Sequence, residues 1–336
     1  MITVSLCMIV KNEEQVLARC LDSIKDLMDE IIIVDTGSTD KTKEIAGKYT
    51  DKVYDFEWID DFSAARNESF KYATMDYIYV ADADEVLDEE NRHKFKLLKE
   101  AMLPEIDIVQ MYYRNQLSNG TVYNYDKEYR PKLYKRLRQF EWIEPVHEMV
   151  QLDPVIYDSE IEIDHMPLSN HSRRDFGLFV NYFRKNKRLS KRLHHMYTME
   201  LYISYQDESF LEAIDICEAT MNDPTRSMDE LKEAMVILEH AYRIKGDDYN
   251  FLKVIAKDMA SSPSAETCCE LGEYYYEKED YNEACIWYLN AMEEAESILS
   301  IKASGEFPCS RLIECYSKLG VVELEEHYRK EMEKYD

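Results

Sequence analysis

The sequence is poor in the residues that loosen a chain. Eight glycines and eight prolines in 336 residues leave little room for long flexible linkers. No run approaches the ~18–20 uncharged apolar residues of a membrane-spanning helix. The opening stretch Met1–Val10 has no basic leader and meets charge at Lys11, which is unlike a secretory signal. Cys-x-x-Cys is missing, and the eight cysteines follow no framework spacing, so a structural zinc site is not expected. The thiols read as those of a reduced, cytoplasmic protein. Neither the Gly-x-Gly-x-x-Gly of dinucleotide folds nor a phosphate-binding P-loop occurs. Positive charge is also scarce. With 41 Lys+Arg against 68 Asp+Glu, the net charge of −27 repels nucleic acid and, over most of the chain, anionic membrane.

What is present divides the chain in two. Residues 1–170 alternate short apolar runs with amphipathic stretches. Thr3–Val10, Glu30–Asp35, Lys52–Phe56, Tyr77–Ala81 and Asp107–Tyr113 read as strands, and Glu13–Met28, Asp40–Tyr49, Phe62–Ala73 and Glu90–Met102 as helices. Strands alternating with helices predict an α/β, Rossmann-like domain with a mostly parallel sheet. Such sheets bind ligands at the carboxyl ends of their strands. Residues 171–195 are expected to form a basic connecting helix, and 196–336 an all-α domain. Leu271-Gly272, Tyr275, Ala284, Tyr288 and Ala291 fit the small-and-large pattern of a tetratricopeptide repeat, with weaker hairpins on either side. Charge follows the same division. Residues 1–200 hold 28 basic and 37 acidic side chains, and residues 201–336 hold 13 and 31. Two basic islands stand out, Arg130–Arg138 and Arg173–Arg192. A solvated helix face is the plain reading of the second.

Three predicted strands end in polar clusters: Lys11-Asn12-Glu13-Glu14, Asp35-Thr36-Gly37-Ser38-Thr39-Asp40 and Asp82-Ala83-Asp84-Glu85. The alternate carboxylates Asp82 and Asp84 suit a hard divalent ion, which can bridge a diphosphate. Ser38 or Thr39 can cap a helix, but Asp35 is left over as an acceptor for a base edge or ribose. Arg66, in Asp61-Phe-Ser-Ala-Ala-Arg66-Asn67, stands early in a predicted helix, where a cation is unfavourable unless an anion faces it. Trp142-Ile-Glu144-Pro-Val-His147-Glu148 combines an aromatic face with groups that can take a proton, and His165 is a further candidate ligand.

Together these segments resemble the family 2 glycosyltransferases of the GT-A fold. The carriers are Met8–Glu14, Val34–Asp40, Asp61–Asn67, Asp82–Glu85 and Val146–Glu148, in the family's order over about half the chain. The Asp-Phe-Ser-x-Ala-Arg-Asn and Val-His-Glu elements, with the tetratricopeptide-like end, are similar to sublancin-type peptide S-glycosyltransferases and flagellin-modifying transferases. The resemblance implies a UDP-sugar donor and Mn²⁺ or Mg²⁺. It implies Asp35 and Glu13 near the uridine, and Arg66, Asp82 and Ala83 near the nucleotide or donor sugar. Asp84 would ligate the metal, with His165 as a metal or diphosphate contact. Glu148 falls where the family carries its catalytic base, with His147 beside it and Glu144 as a rival. The chain departs from some relatives in having Pro145 before Val-His-Glu. Its Glu85 after Asp-Ala-Asp would bear on the acceptor side.

The expected reaction is inverting transfer of glucose or N-acetylglucosamine to a Ser, Thr or Cys of a protein or peptide. Helical arrays offer extended surfaces for such acceptors, and equally for homodimerisation. Rival readings are a lipopolysaccharide or capsule acceptor, with the basic segment touching a membrane surface, nucleotidyl transfer, and a non-catalytic helical scaffold.

Overall fold

A computed structural model describes residues 1–114, 128–151, 153–167, 172–204 and 207–335. Its contacts divide the chain into Met1–Leu178 and Phe179–Asp336. The expected boundary at 170/171 falls outside the described residues.

The first unit is built on an eight-stranded sheet. Its strands are β1 Val4–Val10, β2 Glu30–Asp35, β3 Val53–Asp55, β4 Tyr77–Val80, β5 Glu85–Val86, β6 Ile108–Arg114, β7 Glu128–Lys135 and β10 Ile156–His165. The order is β3-β2-β1-β4-β7-β6-β10-β5. The first four pair in parallel, as does β6 with β10, while β7 and β5 run antiparallel to their neighbours. A separate hairpin joins β8 Trp142–Ile143 to β9 Met149–Val150. The continuous apolar run of β1 follows from burial on both faces. Val4, Leu6, Met8 and Val10 enter one core, and Cys7 enters the other with Ile32, Ile78 and Val80. Each such side chain contributes about 1.5–3 kcal/mol by leaving water.

The crossover helices are α1 Leu17–Ile24, α2 Thr42–Ala46, α3 Phe62–Lys71 and α4 Glu89–Ala101. On α1, Leu17, Cys20, Leu21 and Ile24 repeat at helical spacing and are buried. Two helices are shorter than the sequence predicts. Asn12 takes a left-handed conformation (φ 56°), and the next two amides leave the helical ladder. Glu13 N–H donates to Thr42 Oγ1 at 2.7 Å and Glu14 N–H to Asp40 Oδ2 at 3.2 Å, so α1 begins four residues late. Asp40 Oδ1 accepts from Thr42 N–H at 2.9 Å, which holds the chain in a turn before α2.

The strand β7 was not expected, because it coincides with the basic island and contains Pro131. It lies inside the sheet nonetheless. Pro131 stands at an irregularity in the β6–β7 register, beyond the residues that pair with β4, so no ladder bond needs its missing N–H.

The second basic stretch is not one helix. Helix α5, Ser172–Asn186, ends before Lys187 (φ 60°), and α6, Lys191–Ser204, follows. Arg184 and Lys185 occupy the last turn of α5, where cations suit the helix dipole.

The second unit continues with α7 Asp207–Met221, α8 Met228–Lys245, α9 Asp248–Met259, α10 Ala265–Glu277, α11 Tyr281–Glu293, α12 Glu306–Leu319 and α13 Val322–Met332. A Ser227/Glu230 capping box starts α8, and Gly246 (φ 72°) stops it. Helices α10 and α11 pack closely as a hairpin. Gly272 lies against the buried ring of Tyr288, whose hydroxyl donates to Glu273 at 2.6 Å. No helix among the described residues is long and apolar enough to cross a membrane.

Candidate active site

The parallel strands β1, β2 and β4 put their carboxyl ends on one edge, and β6 and β10 point the same way. The loops after β1 and β2 are laced together there. Asn12 Oδ1 accepts from Thr39 N–H at 2.8 Å, and Ser38 Oγ from Asn12 N–H at 2.9 Å. Asp35, 2% exposed, accepts from the amides of Gly37 and Ser38 through Oδ1, at 3.0 and 2.8 Å. Gly37 (φ 102°) makes that turn without strain. Among the described residues Asp35 Oδ2 is buried with no partner. An orphaned carboxylate oxygen at this edge is open to a donor group of a ligand.

Arg66 is the centre of the site. Asp61 caps α3 by accepting from Ala64 N–H at 3.0 Å, and one turn later Arg66 reaches two carboxylates. Its Nε donates to Glu148 Oε1 and its Nη2 to Asp82 Oδ1 at 3.1 Å, while its guanidinium lies 5.3 Å from the Trp142 ring. The anion that an early helical arginine requires is therefore present twice. Burial opposes charge on Arg66, but Glu148 and Asp82 overcome it and raise the guanidinium still further. Partial burial pushes the half-exposed Asp82 up, and the charges of Arg66 and Lys132 more than reverse this, holding it well below the usual carboxylate range.

Asp84 and His165 also meet. Their Oδ2 and Nε2 atoms lie 3.2 Å apart, with side chains 16% and 20% exposed. The contact is fixed by pairing of β5 with β10, His165 opposite Glu85, and by Met166 N–H donating to Asp84 O at 3.0 Å. Beneath them Glu85 is buried, joined to Lys132 and accepting from the Tyr113 hydroxyl at 2.8 Å. Burial raises the Glu85 carboxyl despite Lys132. The Tyr113 ring lies 5.0 Å from that of His165. Glu85 is thus held by Lys132 and Tyr113 directly after the Asp82–Asp84 loop.

The expected residues fall into three groups: Asp35 and Glu13 on the laced loops, Arg66 with Asp82 and Glu148, and Asp84 with His165. Ala83 is buried in the core below its two neighbours. His147 (φ 49°) and Glu144 (φ 72°) are half-buried in the loop leading to Glu148, both in left-handed conformations. Among the described residues no three His, Cys, Asp or Glu side chains form a ready metal cage. Lys132 and Tyr113 were not expected. Lys132 was visible only as one member of a charged island, and its burial depends on Glu85, 47 residues away in sequence.

The mostly parallel sheet, with carboxylates at its strand ends, is GT-A-like. Residues 5–152 match the model of Glycosyl transferase family 2. A TPR repeat-containing protein of Synechococcus elongatus is 54% identical over 87 residues, 26% of this chain and 22% of that protein. The SPbeta prophage-derived glycosyltransferase SunS of Bacillus subtilis is 28% identical over 250 residues, 70% of this chain and 58% of that protein. The chain thus spans less than two thirds of the length of either curated relative. Among solved structures, glucosyl-3-phosphoglycerate synthase from Mycobacterium tuberculosis, in complex with Mg²⁺ and UDP, matches with a TM-score of 0.40 at 16% identity, over 56% of this chain and 81% of that one. TarS 1–349 of S. aureus matches with a TM-score of 0.37 at 13% identity, over 85% and 90%.

Proposed function

We propose that the chain is an inverting, metal-dependent glycosyltransferase. It moves glucose or N-acetylglucosamine from a UDP-sugar to a Ser, Thr or Cys side chain of a protein or peptide, in the cytoplasm. The observation that carries this is the bridge from Glu148 through Arg66 to Asp82, which links the acceptor-side glutamate to the donor-side loop.

In this reading the orphaned Asp35 oxygen accepts from the uracil or ribose, with Glu13 on the neighbouring loop. Asp82, on the loop with Ala83, faces the ribose or donor sugar, and Arg66 orients it. Asp84 and His165 would hold Mn²⁺ or Mg²⁺. One carboxylate and one imidazole would suit such an ion. When bound, the ion neutralises charge on the departing diphosphate. Glu148 takes the proton of the acceptor O–H or S–H, with His147 and Glu144 beside it in the same loop. The freed electron pair attacks the anomeric carbon opposite the diphosphate. The carbon–oxygen bond to UDP breaks, UDP leaves with the bonding pair, and the configuration inverts. Residues 1–170 are the catalytic domain in this reading, and 196–336 supply the acceptor surface or a homodimer contact.

The test is a calorimetric titration of UDP, GDP and CMP and their sugars, with Mn²⁺ and with chelator, on the wild type and Glu148→Gln. We expect Mn²⁺-dependent UDP binding in both proteins. Turnover should be lower in the variant by ~10²–10⁴-fold, the worth of a general base. Wild-type turnover in Glu148→Gln removes that residue from the role, and no nucleotide binding under any condition overturns the transferase reading.

A further inference from the structure

Asn67 follows Arg66 on α3, yet it reaches neither Glu148 nor Asp82 in any hydrogen bond described above. Its carboxamide instead meets both backbone groups of one residue. Nδ2 donates to Trp142 O at 2.9 Å, and Trp142 N–H donates to Oδ1 at 2.8 Å. One side chain thereby supplies the pair of bonds a neighbouring strand would supply. Trp142 opens the β8–β9 hairpin, and Glu148 stands immediately before the return strand. Two residue pairs of ladder are too few to hold a hairpin in water. Between them the loop carries left-handed conformations at Glu144 and His147, which persist only where the surroundings impose them. Helix α3 imposes them at further points. Phe62 N–H donates to Pro145 O at 2.9 Å, and Phe70 packs edge-on against Trp142 with ring centres 5.7 Å apart.

We propose that Asn67 is a positioning residue for the transfer reaction, fixing through the Trp142 backbone the loop that presents Glu148. The proposal rests on the reading of Glu148 as the base. It separates two jobs within one short motif: Arg66 engages the reacting carboxylates, and Asn67 sets where the second of them stands.

The test uses the full chain, with UDP-glucose or UDP-N-acetylglucosamine, Mn²⁺, and water as the acceptor. In Asn67→Ala, kcat for sugar release should fall about 100-fold, the cost of a misplacement near 1 Å, while KM for the UDP-sugar stays within about twofold. In the Glu148→Gln background the same change should cost nothing more. Hydrogen exchange over residues 142–150 should accelerate, with β1 unchanged. Asn67→Asp keeps the acceptor and loses the donor, so it should fall between Ala and wild type. It also serves if the alanine variant does not fold. Unchanged exchange over 142–150 overturns the proposal, as does an equal further loss of kcat in the Glu148→Gln background. A slow Glu148→Gln beside a fully active Asn67→Ala defeats this role alone. A fully active Glu148→Gln defeats the base reading and this role with it.

Discussion

Arg66 engages two carboxylates through two different nitrogens, a task that depends on the shape of the guanidinium. A lysine has the charge without the fork, so it can serve one partner at a time. Arg66→Lys should leave Glu148 or Asp82 short of its hydrogen bond, at about 1–3 kcal/mol for a buried acceptor. Glu148 is the more costly loss, because its side chain is 11% exposed where that of Asp82 is 41% exposed. We expect slower UDP-sugar turnover and a lower urea midpoint, and a variant equal to wild type in both would show the bridge to be dispensable. At this scale one contact of the candidate site was legible: a cation in the first turns of a helix signals a facing anion, and Arg66 meets Asp82 and Glu148. Lys132, Tyr113 and the carboxamide contacts of Asn67 were not legible, because each depends on a partner far away in sequence.

At the scale of elements, periodicity carried the reading where burial is simple. The apolar runs of β1, β2 and β4 and the spacing on α1 follow directly from which faces are covered. Strand β10 was missed because Ser159, Ile161 and Ile163 are buried between acidic neighbours, so its alternation is diluted. Strand β7 was missed because a buried lysine and a proline both argue against an inner strand. In the helical unit the small-and-large pattern makes a sharper forecast. A Cβ on Gly272 would lie 2.7 Å from two ring atoms of Tyr288. That ring is buried and anchored at its hydroxyl, so it has little freedom to yield. Gly272→Ala should therefore destabilise by about 1–3 kcal/mol through overpacking, in excess of the ~1 kcal/mol that alanine gains in a helix. A rise in the melting temperature of that variant would mean that α10 and α11 are less tightly seated.

For the whole molecule, a charge of −27 makes acid the condition to watch. Glu30 lies at the sheet edge opposite the site, joined to Ser5, Lys52 and Thr74. Burial works against its charge, but those partners win and bring its carboxyl down to about 2. The folded value lies below the unfolded one near 4.5, so this contribution is complete above about pH 4.5 and is lost as the pH falls toward 2. Its size is on the order of 3 kcal/mol. In the second unit Glu233 opposes burial with two histidine hydrogen bonds, and Glu270 opposes it with Arg243 and His240; each also stands at about 2. Urea unfolding at pH 7, 4 and 3 should show falling stability, with a shallower fall in Glu30→Gln; an identical slope in that variant would take Glu30 out of the account. A different probe is already built into both units. All eight cysteines are buried, Cys7 and Cys20 in the sheet unit and six in the helical one. An alkylating reagent can reach them only when the surrounding packing opens, so the order in which they are labelled would time the opening of each unit in the native protein, without a denaturant or an added dye.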